Sequence, residues 1–197
     1  MRRTALRALA ELPLLLLAAL VVAFVIKTFA AQAFSIPSAS MEPQLHVGDR
    51  VIVSKLAYRF HDPNRGDVVV FDSPTAARRD DGTFPGNVLR DVLEGVGLRR
   101  PGDEELIKRI IALPGETVEG RDGRVFIDGR ELVEPYLPPG TMTSDFAARI
   151  VPEGTVWMMG DNRSNSMDSR AFGFVEESAI VGRAIARVWP PGRTAFL

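Results

Sequence analysis

The sequence predicts a mainly β domain, antiparallel-rich and partly barrel-like, preceded by one N-terminal transmembrane helix. Three observations predict it. Residues 12–34 are strongly apolar and long enough to cross a bilayer core, which takes about 20 helical residues. From residue 35 onward, short Val- and Ile-rich runs alternate with turn residues. One of those turns is Asp128-Gly129, a pair that favours tight hairpins between β-rich runs.

Along the chain, residues 1–11 form a short cytoplasmic N-terminus, 12–34 the anchor and 35–197 an extracytoplasmic domain. Arg2, Arg3 and Arg7 precede the apolar run and Glu11 stands at its border, so the positive-inside rule keeps the N-terminus in the cytoplasm. Lys27 falls near the far interface, where its long stem reaches the headgroups. A cleavable signal peptide fits the same stretch, with Ala31-Gln32-Ala33 as its processing site. Both readings put the rest of the chain outside the cytoplasm. Cleavage after Ala33 would leave Ser40 beside a free terminus, a poor place for a residue that needs fixed geometry.

The predicted strands are 50–53, 67–71, 106–112, 117–119, 125–127, 131–133, 155–159 and 180–188, with Gly120–Gly123, Asp128-Gly129 and Pro114-Gly115 as turns. There is no internal repeat. Residues 73–103 differ: the doublets Arg78-Arg79, Asp80-Asp81 and Arg99-Arg100, with scattered Gly and Pro, mark a surface insertion. Within it Val88, Leu89, Val92, Leu93 and Val96 recur at helical spacing, and Gly97 ends the helix. Residues 135–143 are rich in Pro and Gly and form a loop.

Composition narrows the chemistry. A formal net charge of −1 over 197 residues gives no electrostatic reason for a nucleic-acid partner. The absence of cysteine rules out both a disulfide framework and a cysteine nucleophile. Of 24 basic residues only Lys27, Lys55 and Lys108 are lysines. Arginine keeps its proton in a protein, whereas a buried lysine can lose it, so each lysine is a candidate base.

Ser40 lies in Pro37-Ser38-Ala39-Ser40-Met41-Glu42-Pro43, where the prolines disfavour helix and suit a rigid bend that presents a hydroxyl. Such a hydroxyl becomes a nucleophile only beside a base. His46 and His61 sit in polar, turn-like stretches and read as solvated. Lys108, if 106–112 is a strand, shares one face with Leu106 and Ile110, between two apolar neighbours. Two readings stay open there: a solvated strand lysine, or a desolvated one whose pKa has fallen by several units. The third polar cluster, residues 160–170, lacks the central Gly and terminal Glu of an EF-hand and has no His or Cys nearby. It reads as a structured turn whose acids and arginines pair, with no metal.

Taken together these segments resemble the bacterial type I signal peptidases, which are Ser–Lys dyad proteases. The apolar segment is followed by Pro37–Pro43, then Arg65-Gly66-Asp67-Val68-Val69-Val70-Phe71, then Lys108-Arg109 with Leu113-Pro114-Gly115-Glu116, and finally the 160–170 run. All the signature blocks occur in the family's order between about residues 10 and 190. The resemblance implies that Ser40 attacks the scissile carbonyl and Lys108 takes its proton, with Ser38 and the Ser40 N–H holding the oxyanion. It implies that Ser166 hydrogen-bonds and orients the lysine, with Arg109, Asp161, Asp168 and Arg170 as ionic support. Phe34, Ile36, Pro37, Met41, Leu45, Val70 and Ile107 match positions lining shallow pockets for small side chains, suited to an Ala-x-Ala signature bound as an extended strand. The implied partners are signal-peptide-bearing preproteins and the lipid bilayer, close to the protein-export channel, and no cofactor or metal is expected. Lysine at 108 separates this chain from relatives with histidine there. The self-cleaving repressors share the dyad but carry a DNA-binding N-terminus in place of a membrane segment. The stretch between Glu116 and Gly160 is short, so the large accessory domain of some relatives is expected to be absent or reduced.

Overall fold

The computed structural model describes residues 31–74 and 105–197, together with Leu15. The predicted anchor up to residue 30 and nearly all of the predicted insertion, including the 88–96 helix, lie outside the described residues. Among the described residues no helix is long and apolar enough to cross a membrane.

The described residues form twelve strands, in order β1 (Ala31–Ser35), β2 (Arg50–Ser54), β3 (Val68–Asp72), β4 (Glu105–Ala112), β5 (Thr117–Arg121), β6 (Arg124–Ile127), β7 (Arg130–Glu131), β8 (Phe146–Ile150), β9 (Thr155–Met159), β10 (Val175–Glu176), β11 (Ile180–Trp189) and β12 (Ala195–Phe196). Short 3-10 turns at Ala39–Met41, Glu177–Ala179 and Pro191–Arg193 and one-turn helices at Ala57–Phe60 and Ser169–Phe172 lie between the strands. The larger sheet has the order β1-β2-β11-β3-β4-β9-β10, with β12 added to β11, and the smaller has β7-β6-β5-β8. Every recorded strand pair is antiparallel.

Two expectations need correction. Among the described residues neither sheet closes into a barrel: both are open, and β1 and β10 stand at opposite ends of the larger one. The chain leaves β4 through the Pro114-Gly115 turn and builds the second sheet before it returns as β9, so those strands pair among themselves and close nothing. The apolar run also does not serve an anchor up to residue 34. Residues 31–34 belong to β1, in register with β2 from Ala31↔Ser54 to Ser35↔Arg50, and Phe34 is buried in the core.

The hairpins follow their turn residues. Asp122-Gly123 and Asp128-Gly129 both have positive φ at each position (52° and 78°, 49° and 76°), as tight hairpin turns of the primed types require. The first turn is therefore shorter than the expected 120–123 break, and β5 runs on through Gly120 to Arg121. β7 ends at Glu131 rather than reaching 133, because the chain turns into the 132–145 loop. β1, β8, β10 and β12 had no clear apolar alternation and were not expected.

β3 and β4 lie at the centre of the larger sheet and are covered on both faces. Val68 and Val70 join Phe34, Ile36, Met41, Leu45, Val51, Val53 and Ile107 in one core cluster. Val69 and Phe71 point the other way, into a cluster with Ile110, Val156 and Met158. A strand buried on both faces reads as a continuous apolar run, which is what 68–71 shows. A third cluster joins the two sheets through Ile111, Val118, Val125, Trp157 and Met159, with the Phe146 ring stacked on Trp157 at 5.3 Å.

Candidate active site

Position 108 has no solvated face to use. β4 is buried from Ile107 to Ala112, and Lys108 lies opposite Val69, so its side chain stays inside at 2% exposure. The sequence left a solvated and a desolvated lysine open; the burial selects the second. Leu106 and Ile110, expected as its apolar neighbours, both belong to the cluster on that side of the sheet.

The Lys108 ammonium donates to Ser40 Oγ at 2.8 Å and to the Ile107 carbonyl at 2.8 Å. Burial pushes its pKa down from 10.5 to about 8, while Asp168 and Asp161 pull it part of the way back. Ser40 itself is buried in the 3-10 turn after Pro37, and the Ser38 hydroxyl lies 3.2 Å from Ser40 Oγ. A hydroxyl, a depressed amine and a second hydroxyl thus converge from two segments 68 residues apart in sequence.

The 160–170 turn holds this pair from behind. The Asn162 N–H donates to the Ser40 carbonyl at 3.0 Å and the Asn162 amide to the Ala39 carbonyl at 3.1 Å. Gly160 is pressed against both partners: a Cβ there would stand 2.4 Å from the Ser40 carbonyl oxygen and 2.3 Å from Ser166 Oγ, so only glycine fits. Arg109 grips Asp161 with both prongs, Nε to Oδ1 and Nη2 to Oδ2, each at 2.8 Å, in a buried ion pair. Its other donors go to the Gly66 carbonyl at 2.7 Å and to the Gln44 side chain. Asp168 caps the Ser169–Phe172 turn, accepts from the Gly160 N–H at 3.0 Å and pairs with Arg170 at 2.7 Å. Burial would raise its pKa, but the Arg170 and Gly160 donors outweigh that and hold it below the ordinary carboxylate value.

Of the expected residues, Ser40, Lys108, Ser38, Arg109, Asp161, Asp168 and Arg170 come together around one point. Ser166 falls beside them in a different way. Its Oγ is buried without a hydrogen-bond partner among the described residues, so it makes no bond to Lys108 here. Its nearness to Asp168 helps to hold that carboxyl low. Phe34, Ile36, Met41, Leu45, Val70 and Ile107 share one cluster adjoining Ser40, whereas Pro37 is exposed beside it. His46 is not simply solvated: it is half-buried and its Nδ1 meets the Arg193 guanidinium. Residues not anticipated are Gln44, Glu134, Tyr136 and Thr143, with Asn162 and Arg163 noticed only as part of their run. None lies in a periodic element. The one available hint was a Glu-Pro-Tyr sequence opening a loop otherwise rich in Pro and Gly. Among the described residues no group of three or more His, Asp or Glu side chains is arranged to hold a metal ion.

Comparison with known proteins gives these residues a context. The family model described as "Signal peptidase, peptidase S26" matches residues 9–189. Signal peptidase I of Mycobacterium tuberculosis is 40% identical over 94% of this chain and 74% of its own length. A probable signal peptidase I of Synechocystis is 40% identical over 91% of this chain and 82% of its own. Thylakoidal processing peptidase 1 of Arabidopsis thaliana is 34% identical over 90% of this chain and 47% of its own. The crystal structure of a signal peptidase I from Enterococcus faecalis overlays loosely, with a TM-score of 0.45, 31% identity and coverage of 62% of this chain and 97% of that one. A match over nearly the whole chain, carried by relatives at this identity, is decisive: the chain belongs to the signal peptidase family, peptidase S26, and is a serine endopeptidase that removes signal peptides.

Proposed function

We propose that the peptide bond is cut by a dyad of Ser40 and Lys108. The observation that carries this reading is the 2.8 Å contact between Lys108 Nζ and Ser40 Oγ inside a site where the amine is 2% exposed. With its pKa near 8, about a tenth of the lysine is neutral at pH 7, against roughly 0.03% for a free one. That neutral amine accepts the Ser40 proton as the oxygen attacks the scissile carbonyl. The oxyanion is held by the Ser40 N–H and the Ser38 hydroxyl, and loss of one such donor typically costs about 10²–10³ in rate. As the tetrahedral intermediate collapses, the departing amine of the mature chain takes the proton from Lys108. Lys108, neutral again, then deprotonates a water molecule that attacks the Ser40 ester, and it returns the proton to Ser40 Oγ as the signal peptide leaves.

The substrate segment on this reading is an extended Ala-x-Ala strand, whose small side chains enter shallow hollows over Ile36, Met41, Leu45, Val70 and Ile107. Residues 12–30 anchor the chain in the cell membrane, N-terminus in the cytoplasm and catalytic domain outside, close to the export channel. Support for the anchor comes from the apolar run and its Arg2, Arg3 and Arg7 flank.

The test is cleavage of a preprotein carrying an Ala-x-Ala site by the purified chain in detergent, beside Ser40→Ala, Lys108→Ala and Lys108→Arg. All three variants are expected to be inactive, the last because arginine cannot give up its proton. Activity of any of them at the parent's level would refute the dyad.

A further inference from the structure

Behind the dyad lies a feature that family membership does not assign. The 132–145 loop, which leaves the smaller sheet after β7, reaches across to the 160–162 turn of the larger sheet. Two of its side chains do so. The Arg109 guanidinium carbon lies over the Tyr136 ring, 4.0 Å from its centroid. The Tyr136 hydroxyl donates to Glu134 Oε1 at 2.6 Å. Glu134 in turn receives both terminal nitrogens of Arg163, one at 3.0 Å and the other closer, and Thr143 receives one of them at 2.9 Å. Arg163 is buried, and its Nε donates to the Gly160 carbonyl at 3.0 Å. Glu134 outweighs burial and raises the Arg163 pKa above its ordinary value, so this cation is permanent.

We propose that Tyr136 and Glu134 are positioning residues for the reaction, clamping the two arginines that fix the Gly160–Asn162 turn against Ser40. The proposal rests on the dyad reading. Arg109 fixes Asp161 through its edge, and the Tyr136 ring packs against the guanidinium and restrains it. Arg163 fixes the neighbouring carbonyl of Gly160, and Glu134 fixes Arg163. Asn162, next in the same turn, holds the Ser40 and Ala39 carbonyls. A drift of this turn is therefore a drift of the nucleophile, and a misplacement of about 1 Å can cost about 10²-fold in rate. Neither side chain needs to touch substrate. Their loss should fall on kcat and leave KM alone.

The test uses the full chain in detergent with the same Ala-x-Ala preprotein, below each variant's melting transition. Tyr136→Leu removes the ring and is expected to lower kcat about 10- to 100-fold with KM within about threefold of the parent. Tyr136→Phe keeps the ring on Arg109 and is expected to recover to within about threefold of the parent kcat. Glu134→Gln is nearly isosteric, guards against a leucine variant that fails to fold, and is expected to lose about tenfold in kcat. A folded Tyr136→Leu or Glu134→Gln with kcat within twofold of the parent overturns the clamp. A loss confined to KM, or a Tyr136→Phe as impaired as Tyr136→Leu, overturns it equally. Ser40→Ala run alongside separates the two claims. If it cleaves like the parent, the dyad fails; if it is dead while the Tyr136 and Glu134 variants are unimpaired, only the clamp fails.

Discussion

Replacing Lys108 by methionine should abolish activity and, at neutral pH, stabilise the fold. The amine is held where its pKa is about 8 rather than 10.5. The folded state therefore binds this proton less well than the unfolded chain does. The sign follows: the penalty is fully present below about pH 8, fades as pH rises towards 10.5 and is absent above it. A fall from 10.5 to about 8, at 1.36 kcal/mol per pH unit, is about 3 kcal/mol at pH 7. Methionine fills similar space without a charge, but it gives up the bonds to Ser40 Oγ and the Ile107 carbonyl, each worth about 1 kcal/mol net. A net gain of about 1–2 kcal/mol remains, or roughly 2–8 °C for a domain of this size. The assay is thermal and urea unfolding of parent and Lys108→Met in one detergent at pH 7, 9 and 10.5, with Ser40→Ala as an inactive control that keeps the lysine. The difference between the two proteins cancels every other titrating group. A gap that does not change with pH, or a methionine variant less stable than the parent at pH 7, would refute a desolvated Lys108.

Other expectations follow from the same geometry. The parent kcat/KM should rise about tenfold per pH unit below a midpoint near 8 as the amine loses its proton, and a midpoint near 10.4 in the pH–rate profile would place Lys108 in water. Gly160→Ala should lose about 10²-fold or more in kcat, since its methyl would press on the Ser40 carbonyl and Ser166 Oγ; single-turnover cleavage measures it. Arg109→Met strands the buried Asp161 carboxylate and should cost about 3–5 kcal/mol in unfolding by denaturant. Prolonged treatment with a chelator should leave the cleavage rate unchanged, because every step above runs on hydroxyls and one amine.

How much of this was legible in the sequence depended on what each element needs from its neighbours. β3 and β9 announce themselves because they are apolar almost throughout, as strands covered on both faces must be, and β4 does so through the Leu, Ile and Ala residues that flank its Lys108-Arg109 pair. β1 was hidden inside an apolar run that looks like membrane up to Phe34; nothing local distinguishes an alanine facing lipid from one pairing with β2. β8 is exposed along most of its length and shows no alternation, so its pairing with β5 was invisible. In the site, Ser40 and Lys108 were suggested by residue chemistry and bound together by the ordered signature blocks, and strand alternation supplied the lysine's apolar neighbours correctly. Ser166 is the informative shortfall. Motif position brought it to the site, yet whether its hydroxyl meets Lys108 depends on a rotamer that no motif encodes. Glu134 and Tyr136 escaped because their roles exist only once one sheet lies against the other.

β1 has one more consequence, for how the enzyme meets its substrate. The strand begins at Ala31, only nine residues before Ser40, and is pinned along its length to β2. On the anchored reading those residues are a leash. At 3.3–3.6 Å each they reach at most about 30 Å, and the bend at Pro37 shortens that further. The nucleophile is thus confined to a thin layer over the membrane surface, where a precursor still held by its own apolar segment is confined too. Their encounter becomes a search in two dimensions, and the shared layer raises the effective concentration of one for the other as a tether does. A modest intrinsic affinity for a few small side chains is then sufficient.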